Sequence, residues 1–251
     1  MSRMTLNVGI KGLKNDTKLN GIDVPPKLRE RNMTGLSFFD GATGGCVPST
    51  VMMLTGTPGA GKTTMLMQVA DGLTKSGHIV LYNTGEESLY QVRMVSERLG
   101  LDADFYVGQH TLVTELLKHA DALRKAHKGK QVFVLQDSLQ TLDDGKYANG
   151  GTTGRTPLRC TEIMTEWAKR TFSNVIFIGQ VTKGGDFAGK NAILHAVDVR
   201  AQVYIDEEKK SDTYGERIFE VTKNRFGTGG KAYILGIGGE GLYEKGTITY
   251  G

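Results

Sequence analysis

An eight-residue segment has the residue types and spacing of a phosphate-binding loop: it reads G-x-x-x-x-G-K-T and joins a predicted strand to a predicted helix. Glycines in such a loop let backbone N–H groups surround phosphate oxygens, and the helix start adds partial positive charge. The residues are Gly56, Thr57, Pro58, Gly59, Ala60, Gly61, Lys62 and Thr63, followed by Thr64. Lys62 is predicted to reach the β and γ phosphates and the Thr63 hydroxyl to bind Mg²⁺, so the sequence predicts ATP and Mg²⁺ as cofactors.

Two acidic segments follow other apolar runs. The run 132–135 leads through Gln136, where an apolar residue is more usual, to Asp137, a candidate for holding the metal. The run 79–82 is followed by Glu86 and Glu87, and a carboxylate there can activate the water that attacks the γ-phosphate. Glu86 is the predicted catalytic base. Glu87 could instead cap a helix or face solvent, and the pair could simply favour the start of a helix.

The elements that would position these residues alternate between strands and helices, which predicts βαβ units and a buried parallel sheet. Strands are predicted over 51–54, 79–82, 132–135, 175–178 and 199–205, and helices over 62–75, 89–99, 112–126 and 158–171. Two later runs, 219–223 and 233–236, are separated by glycine-rich turns and predict an antiparallel extension. The predicted fold class is α/β, a mostly parallel twisted sheet flanked by helices with an antiparallel C-terminal part.

Composition narrows the classes further. The chain has 251 residues, and its apolar runs are too short to cross a bilayer, so no membrane association is predicted. Its two cysteines, Cys46 and Cys160, have no ligand spacing, which predicts a cytoplasmic protein without a zinc site. The net charge of +4 is concentrated in residues 1–35, with seven basic and three acidic side chains. We therefore predict a basic arm or linker over 1–31, able to meet nucleic acid or an acidic partner, and an ATPase domain over 32–251.

Six blocks in order carry a family resemblance. They are 34–36 with 44–48, the phosphate-binding loop, 84–88 with Gln91 and 98–100, 137–141, 181–183 with 188–189, and the KNRFG sequence at 223–227. Over residues 32–245 the chain resembles the bacterial RadA (Sms) family, which are RecA-like and DnaB-like ATPases of recombination and repair. The resemblance implies a RecA-like P-loop NTPase fold. It also implies a homo-oligomer, a hexameric ring or a filament, in which Lys223 and Arg225 reach the γ-phosphate bound by the neighbouring subunit.

The same resemblance implies a site for single-stranded DNA. In RecA-like proteins two loops line the central channel, and the corresponding segments here are 143–159 and 183–191. The candidate phosphate contacts in these loops are Lys146, Arg155, Arg159, Lys183 and Lys190. Gln180 resembles the sensor residue that links the γ-phosphate to the DNA loop, although RadA proteins commonly have His there. Solvated loops are the alternative interpretation, because the basic charge is modest.

The chain also departs from the family pattern. It has no four-cysteine zinc finger, and it stops before the Lon-protease-like domain of RadA, which predicts a bare motor core. The predicted function is an ATP-hydrolysing, helicase-like oligomeric motor that translocates on single-stranded DNA or drives branch migration in repair and recombination. A RecA-like strand-exchange recombinase and a KaiC-like regulatory ATPase that binds no DNA remain alternatives.

Overall fold

The computed structural model describes residues 19–147, 150–180, 190–227 and 231–249. The strands within these ranges are β1 Val51–Gly56, β2 Ile79–Thr84, β3 Tyr106–Gly108, β4 Val132–Asp137, β5 Asn174–Ile178, β6 Val199–Ile205, β7 Arg217–Asn224, β8 Lys231–Gly238 and β9 Gly241–Thr249. They form one sheet in the order β3-β2-β4-β5-β1-β6-β7-β8-β9. The six strands from β3 to β6 in this order are parallel, and β7, β8 and β9 continue the sheet in antiparallel fashion.

Six α-helices flank the sheet in the described part of the chain. They are α1 Ser37–Thr43, α2 Lys62–Lys75, α3 Leu89–Arg98, α4 Val113–Ala126, α5 Thr156–Thr171 and α6 Lys190–Ala196. Local sequence fixes several of their starts. Ser88 and Gln91 form a reciprocal capping box at the start of α3. Pro157 lies in the first turn of α5, where its missing N–H costs no hydrogen bond.

The sheet has a hydrophobic layer on each face because successive side chains of a strand point to opposite sides. Met52 and Leu54 of β1 pack in the layer that contains α1, α2 and α3. Val51 and Met53 pack in the layer that contains α4, α5 and α6. Both faces are therefore buried, as expected for a parallel sheet between two helical layers.

The predicted α/β fold class is confirmed, and each predicted strand and helix is present. The predicted boundaries of β1, β2 and β4 were short by two residues at the carboxyl end, where polar residues replace the apolar run. Sequence patterns missed α1, α6, β3 and β9. These elements are short or contain glycines, so they carry no apolar period long enough to be recognised.

The described part of the predicted arm, residues 19–31, begins with two single 3-10 turns, Leu19–Gly21 and Pro26–Arg29. Its end touches the domain, because Arg31 donates a hydrogen bond to the carbonyl of Phe226 and Asn32 pairs with Cys46. The boundary at residue 31 stays a prediction. None of the helices in the described ranges has both the length and the apolar character needed to span a lipid bilayer.

Candidate active site

The segment 56–63 forms a tight loop between β1 and α2, as its sequence predicts. Gly59 and Gly61 have φ values of 75° and 95°, a left-handed conformation that favours glycine. A Cβ atom on Gly56 would lie 1.8 Å from the carbonyl oxygen of Val203 on the neighbouring strand β6. Glycine at these positions is thus required by backbone geometry and by the close approach of β6.

The Lys62 side chain folds over this loop. Its ammonium donates hydrogen bonds to the carbonyl oxygens of Gly56 at 3.0 Å and Thr57 at 2.9 Å. Burial lowers the pKa of Lys62, while the carboxylates of Asp137 and Glu86 act in the opposite direction. The ammonium therefore sits at the centre of the loop, where it could exchange two carbonyl oxygens for phosphate oxygens.

Thr63 and Asp137 meet directly, as a shared metal site requires. The Thr63 hydroxyl donates to Asp137 Oδ2 at 2.7 Å, and the Tyr82 hydroxyl donates to the same oxygen at 3.2 Å. Burial raises the pKa of Asp137, and these two hydrogen bonds oppose that rise. The pair could hold Mg²⁺ beside the first turn of α2, because a hydroxyl and a carboxylate are oxygen ligands suited to that ion.

Glu86 belongs to a second cluster at the same edge of the sheet. Its Oε1 atom accepts hydrogen bonds from the Ser138 hydroxyl at 2.9 Å and from the Gln180 amide at 2.8 Å. Gln140 also holds Gln180, since its Oε1 atom accepts the Gln180 backbone N–H at 3.2 Å. Three successive strand ends, those of β2, β4 and β5, thus position one exposed carboxylate.

Glu87 differs from its neighbour in both position and partners. Its side chain is partly buried, and its Oε2 atom is buried without a hydrogen-bond partner in the described ranges. Burial raises the pKa of Glu87, and the charges of Asp137 and Glu86 add to the rise. Its backbone N–H is bonded to the Thr84 hydroxyl. Only Glu86 of the two contacts both Ser138 and Gln180.

The hydrogen bonds of the Gln136 side chain account for a polar residue directly before Asp137. The side chain is fully buried and accepts a hydrogen bond from Asn83 at 2.7 Å, which links β4 to β2. Its amide donates to the Ser138 carbonyl and to Thr141. This polar link fixes the backbone on both sides of Asp137 and Ser138. The sequence marked Gln136 as unusual, but nothing in it identified Asn83 as the partner.

The C-terminal strands support the phosphate-binding loop from the other side. Arg217 of β7 donates to the carbonyl of Ala60 at 2.8 Å. Leu242 of β9 packs 3.3 Å from the position of a Cβ on Gly61, and its backbone is bonded to Gln68 of α2. The antiparallel extension therefore helps to hold the loop, a role that its sequence did not reveal.

Lys223 and Arg225 lie near the amino-terminal ends of the parallel strands, whereas the loop lies at their carboxyl ends. Arg225 donates to Asp198 Oδ1 at 3.0 Å, and the other oxygen of Asp198 accepts the backbone N–H of Val51. Val51 is the first residue of β1 and Gly56 the last, so about 17 Å of strand separates Arg225 from the loop. The Lys223 ammonium donates to three carbonyls at the end of α6, those of Leu194, His195 and Val197. Burial lowers the pKa of Lys223.

The predicted DNA contacts differ in their exposure and in their partners within the chain. Lys146 and Arg155 are exposed, and the Lys146 ammonium lies 5.8 Å from the centre of the Tyr147 ring. Arg159 is an intrachain residue: its guanidinium is bonded to Asp144 and Thr156 and is only 22% exposed. These bonds connect Asp144 to the start of α5, and a DNA contact of Arg159 stays a prediction. Lys183 and the side chain of Lys190 lie outside the described residues.

The residues of the phosphate-binding loop fit a nucleoside triphosphate. The Thr57 hydroxyl is buried and has no hydrogen-bond partner in the described ranges. An ammonium, a left-handed glycine backbone and the start of α2 converge on the same space, which is the donor set that phosphate oxygens require. Asp137 and Glu86 lie at the carboxyl ends of β4 and β2, and Thr63 in the first turn of α2 contacts Asp137. The geometry supports phosphoryl chemistry at this edge.

Solved structures place this fold in a class. A DnaB-like replicative helicase matches with a TM-score of 0.73 at 15% identity, covering 84% of this chain and 61% of that one. A KaiC-like protein of Pyrococcus horikoshii matches with a TM-score of 0.69 at 20% identity, covering 86% of this chain and 99% of that one. The chain therefore has the predicted RecA-like ATPase fold.

The family follows from the sequence. The model of the KaiC ATPase family matches residues 9–146, more than half of the 251 residues. The chain belongs to the KaiC family of ATPases, so its enzymatic class is that of an ATP hydrolase.

Curated relatives are nearer in sequence than these solved structures. The chain is 34% identical to the DNA repair protein RadA of Haemophilus influenzae over 216 residues, which are 85% of this chain and 44% of that protein. It is 32% identical to RadA of Aquifex aeolicus over 216 residues, 86% of this chain and 46% of that protein. The predicted resemblance to RadA is confirmed. The chain spans less than half of the length of these relatives.

Proposed function

We propose that the chain is the ATP-hydrolysing core of an oligomeric motor that acts on single-stranded DNA in repair or recombination. The observation that carries this proposal is the hydrogen bond from Gln180 to Glu86. Gln180 directly precedes residues 181–189, which overlap the segment that the family resemblance assigns to DNA. Movement of that segment would displace the carboxylate that activates water. The proposed action on DNA is supported by relatives that are named DNA repair proteins.

Hydrolysis would be divided among residues at the carboxyl edge of the sheet. Lys62 would exchange its two loop carbonyls for β- and γ-phosphate oxygens. Thr63 and Asp137 would hold Mg²⁺, which neutralises charge on the phosphates when bound. Glu86 would accept the proton of the attacking water, with its orientation fixed by Ser138 and Gln180.

A second subunit would complete each site. Arg225 is anchored at the start of β1 and cannot reach a nucleotide bound beyond its end. In a head-to-tail assembly the amino-terminal edge of one sheet can face the carboxyl edge of the next. A guanidinium supplied in this way stabilises charge on the transferred phosphoryl group and contributes about 10³- to 10⁵-fold in rate.

The two basic residues of the KNRFG sequence differ in the donors they have free. Lys223 uses its three ammonium hydrogens on the end of α6. Arg225 uses one nitrogen for Asp198 and one for the His195 carbonyl, and its side chain is 47% exposed. We therefore infer that Arg225 makes the phosphate contact and that Lys223 positions α6.

Asp198 follows as a positioning residue for Arg225. It is 1% exposed, binds the Arg225 guanidinium through one oxygen and the Val51 N–H through the other, and its carbonyl accepts the Arg225 N–H. Asp198→Asn is expected to lower kcat about tenfold with little change in the KM for ATP, because a charge-assisted hydrogen bond becomes a neutral one. Steady-state ATPase assays measure both constants.

The matched control is Lys169→Met, which removes the other cation near Asp198, at 3.8 Å, and leaves the Arg225 contact in place. It is expected to keep nearly wild-type kcat. Asp198→Asn subunits have an intact phosphate-binding loop, so adding Lys62→Ala subunits should recover activity. Loss without any recovery would show that Asp198 acts on folding and not on Arg225.

The proposed binding of single-stranded DNA is tested by its effect on the ATPase rate. Oligothymidylate is expected to raise the ATPase rate of the wild type, and Lys183→Gln with Lys190→Gln is expected to weaken that rise while basal turnover stays unchanged. Lys209→Gln with Lys210→Gln, two exposed lysines in the turn between β6 and β7, is the control with equal charge change. Unchanged stimulation in the first variant would remove residues 183–190 from the DNA site.

A regulatory ATPase without DNA is the second candidate, and the match to the KaiC family model favours it. ATP turnover that ignores single-stranded DNA at low salt would support this candidate over the motor. A strand-exchange recombinase would instead form open filaments that pair homologous strands. Electron micrographs of the assembly with ATP distinguish a closed ring from a filament.

A further inference from the structure

A pocket with four cations lies on the amino-terminal edge of the sheet, away from the nucleotide loop. Its lining residues are Lys27, Arg124, Lys128, Gly129, Lys130, Thr171 and Ser173. They come from the arm, the end of α4, the turn before β4 and the segment before β5. The phosphate-binding loop follows the carboxyl end of β1, so this pocket is separate from the nucleotide site.

The positive charge of this pocket is poorly compensated. Of the four cations only Arg124 has a carboxylate partner within the described ranges, Asp121 at 3.3 Å. Lys27, Lys128 and Lys130 form no ion pair there, and no acidic side chain lines the pocket. Like charges brought together in this way repel one another, and a bound anion would relieve the repulsion.

Ser173 gives the pocket a neutral polar group. The residue is only 2% exposed and lines the pocket. A hydroxyl beside ammonium and guanidinium groups is a donor set suited to phosphate oxygens.

We propose that this pocket binds a backbone phosphate of DNA, at a second contact on the amino-terminal edge of each subunit. No apolar side chain lines it, whereas a protein partner would need an aromatic or aliphatic anchor. The same two segments carry further exposed cations, Arg29 in the arm and Lys125 in α4, which fits a chain of phosphates better than a single ion. The basic arm thus acquires a role through Lys27. The inference rests on the DNA binding that the proposed function includes.

The test compares two triple variants of the full chain. Lys27→Gln, Lys128→Gln and Lys130→Gln remove three charges from the pocket. Lys118→Gln, Lys209→Gln and Lys210→Gln remove three exposed charges elsewhere and serve as the control. Binding to a fluorescein-labelled oligothymidylate of about 30 nucleotides is measured by anisotropy over a series of salt concentrations.

The pocket variant is expected to bind about tenfold more weakly at low salt. Its slope of log affinity against log salt should be smaller by about 2, since each phosphate contact contributes about 0.7 on single strands. The control variant should keep the wild-type slope, and the KM for ATP should stay unchanged in both. Equal slopes for the pocket variant and the wild type would overturn the proposal.

Two further outcomes identify other sources of phosphate. Calorimetry with inorganic phosphate could show binding that the pocket variant loses while DNA affinity stays constant, and the pocket would then be a small-anion site and the proposal overturned. A raised KM for ATP in the pocket variant would overturn it as well.

The pocket and the proposed motor can fail separately. If the ATPase ignores DNA but the pocket variant loses DNA binding, the result would support the pocket and count against the motor. Stimulation by DNA with an unchanged slope would do the reverse.

Discussion

Mixing two inactive variants is expected to restore ATP hydrolysis. Lys62→Ala removes the ammonium that lies over the phosphate-binding loop, and Arg225→Ala removes the guanidinium at the opposite edge of the sheet. Each variant alone should lose about 10³-fold or more in kcat, because phosphoryl transfer depends on charge stabilisation from both groups. In a random equimolar mixture about one interface in four would join an intact Lys62 to an intact Arg225. About a quarter of wild-type turnover should return.

The measurement is the ATPase rate of the mixture after subunit exchange, with mixed assembly verified by native mass spectrometry of one tagged variant. The control is a mixture of Lys62→Ala with Lys62→Ala,Arg225→Ala subunits, which contains no intact loop and should stay inactive. Verified mixed assemblies without activity would exclude completion of the site by a neighbour. A monomer with full activity would exclude it as directly.

Replacing Glu86 by Gln is expected to have the second large effect. The amide oxygen can still accept hydrogen bonds from Ser138 and Gln180, so the side chain keeps its place but loses its basicity. General base catalysis contributes about 10²- to 10⁴-fold, and kcat should fall by that factor. The affinity for ATP should remain, because the hydrogen bonds of the Glu86 carboxylate go to Ser138 and Gln180 and not to the phosphate-binding loop. Binding of a fluorescent ATP analogue and steady-state turnover measure the two quantities separately.

Glu87→Gln is the matched control, with the same chemical change one residue away. Glu87 is partly buried and its Oε2 atom has no hydrogen-bond partner in the described ranges, so this substitution should change kcat by no more than a few fold. The opposite order of effects would assign the base to Glu87. Equal losses in both variants would indicate that the acidic pair acts through its combined charge.

Sequence patterns predicted the fold well where apolar periods are long. The strands at the sheet centre and the helices α2 to α5 bury regular apolar faces, and such periods can be read without a structure. The elements that were missed, such as α1 and β9, are short or contain glycines, and neighbours stabilise them. Tyr233 of β8 shows this dependence, since it packs so closely on α1 that a Cβ on Gly41 would clash with its hydroxyl.

For the site, the sequence identified residue types but only some of their relations. The loop could be predicted in full, because adjacent residues supply all of its donors. The contact of Gln180 with Glu86 joins residues 94 positions apart, and that of Arg225 with Asp198 depends on the start of β6. Neither contact leaves a local signal. The pairing of Arg159, one of the predicted DNA contacts, with Asp144 left no local signal either.

The sequence by itself determined that this chain carries a P-loop ATPase core, since a phosphate cradle is built from consecutive backbone groups and needs only glycines, a lysine and a hydroxyl in order. Tertiary structure alone decided which acid faces Gln180, which cation keeps free donors, and where Lys27 meets Lys128 and Lys130. These relations arise where separate strands end at a common edge, and strand order in a sheet is set by packing of the whole chain.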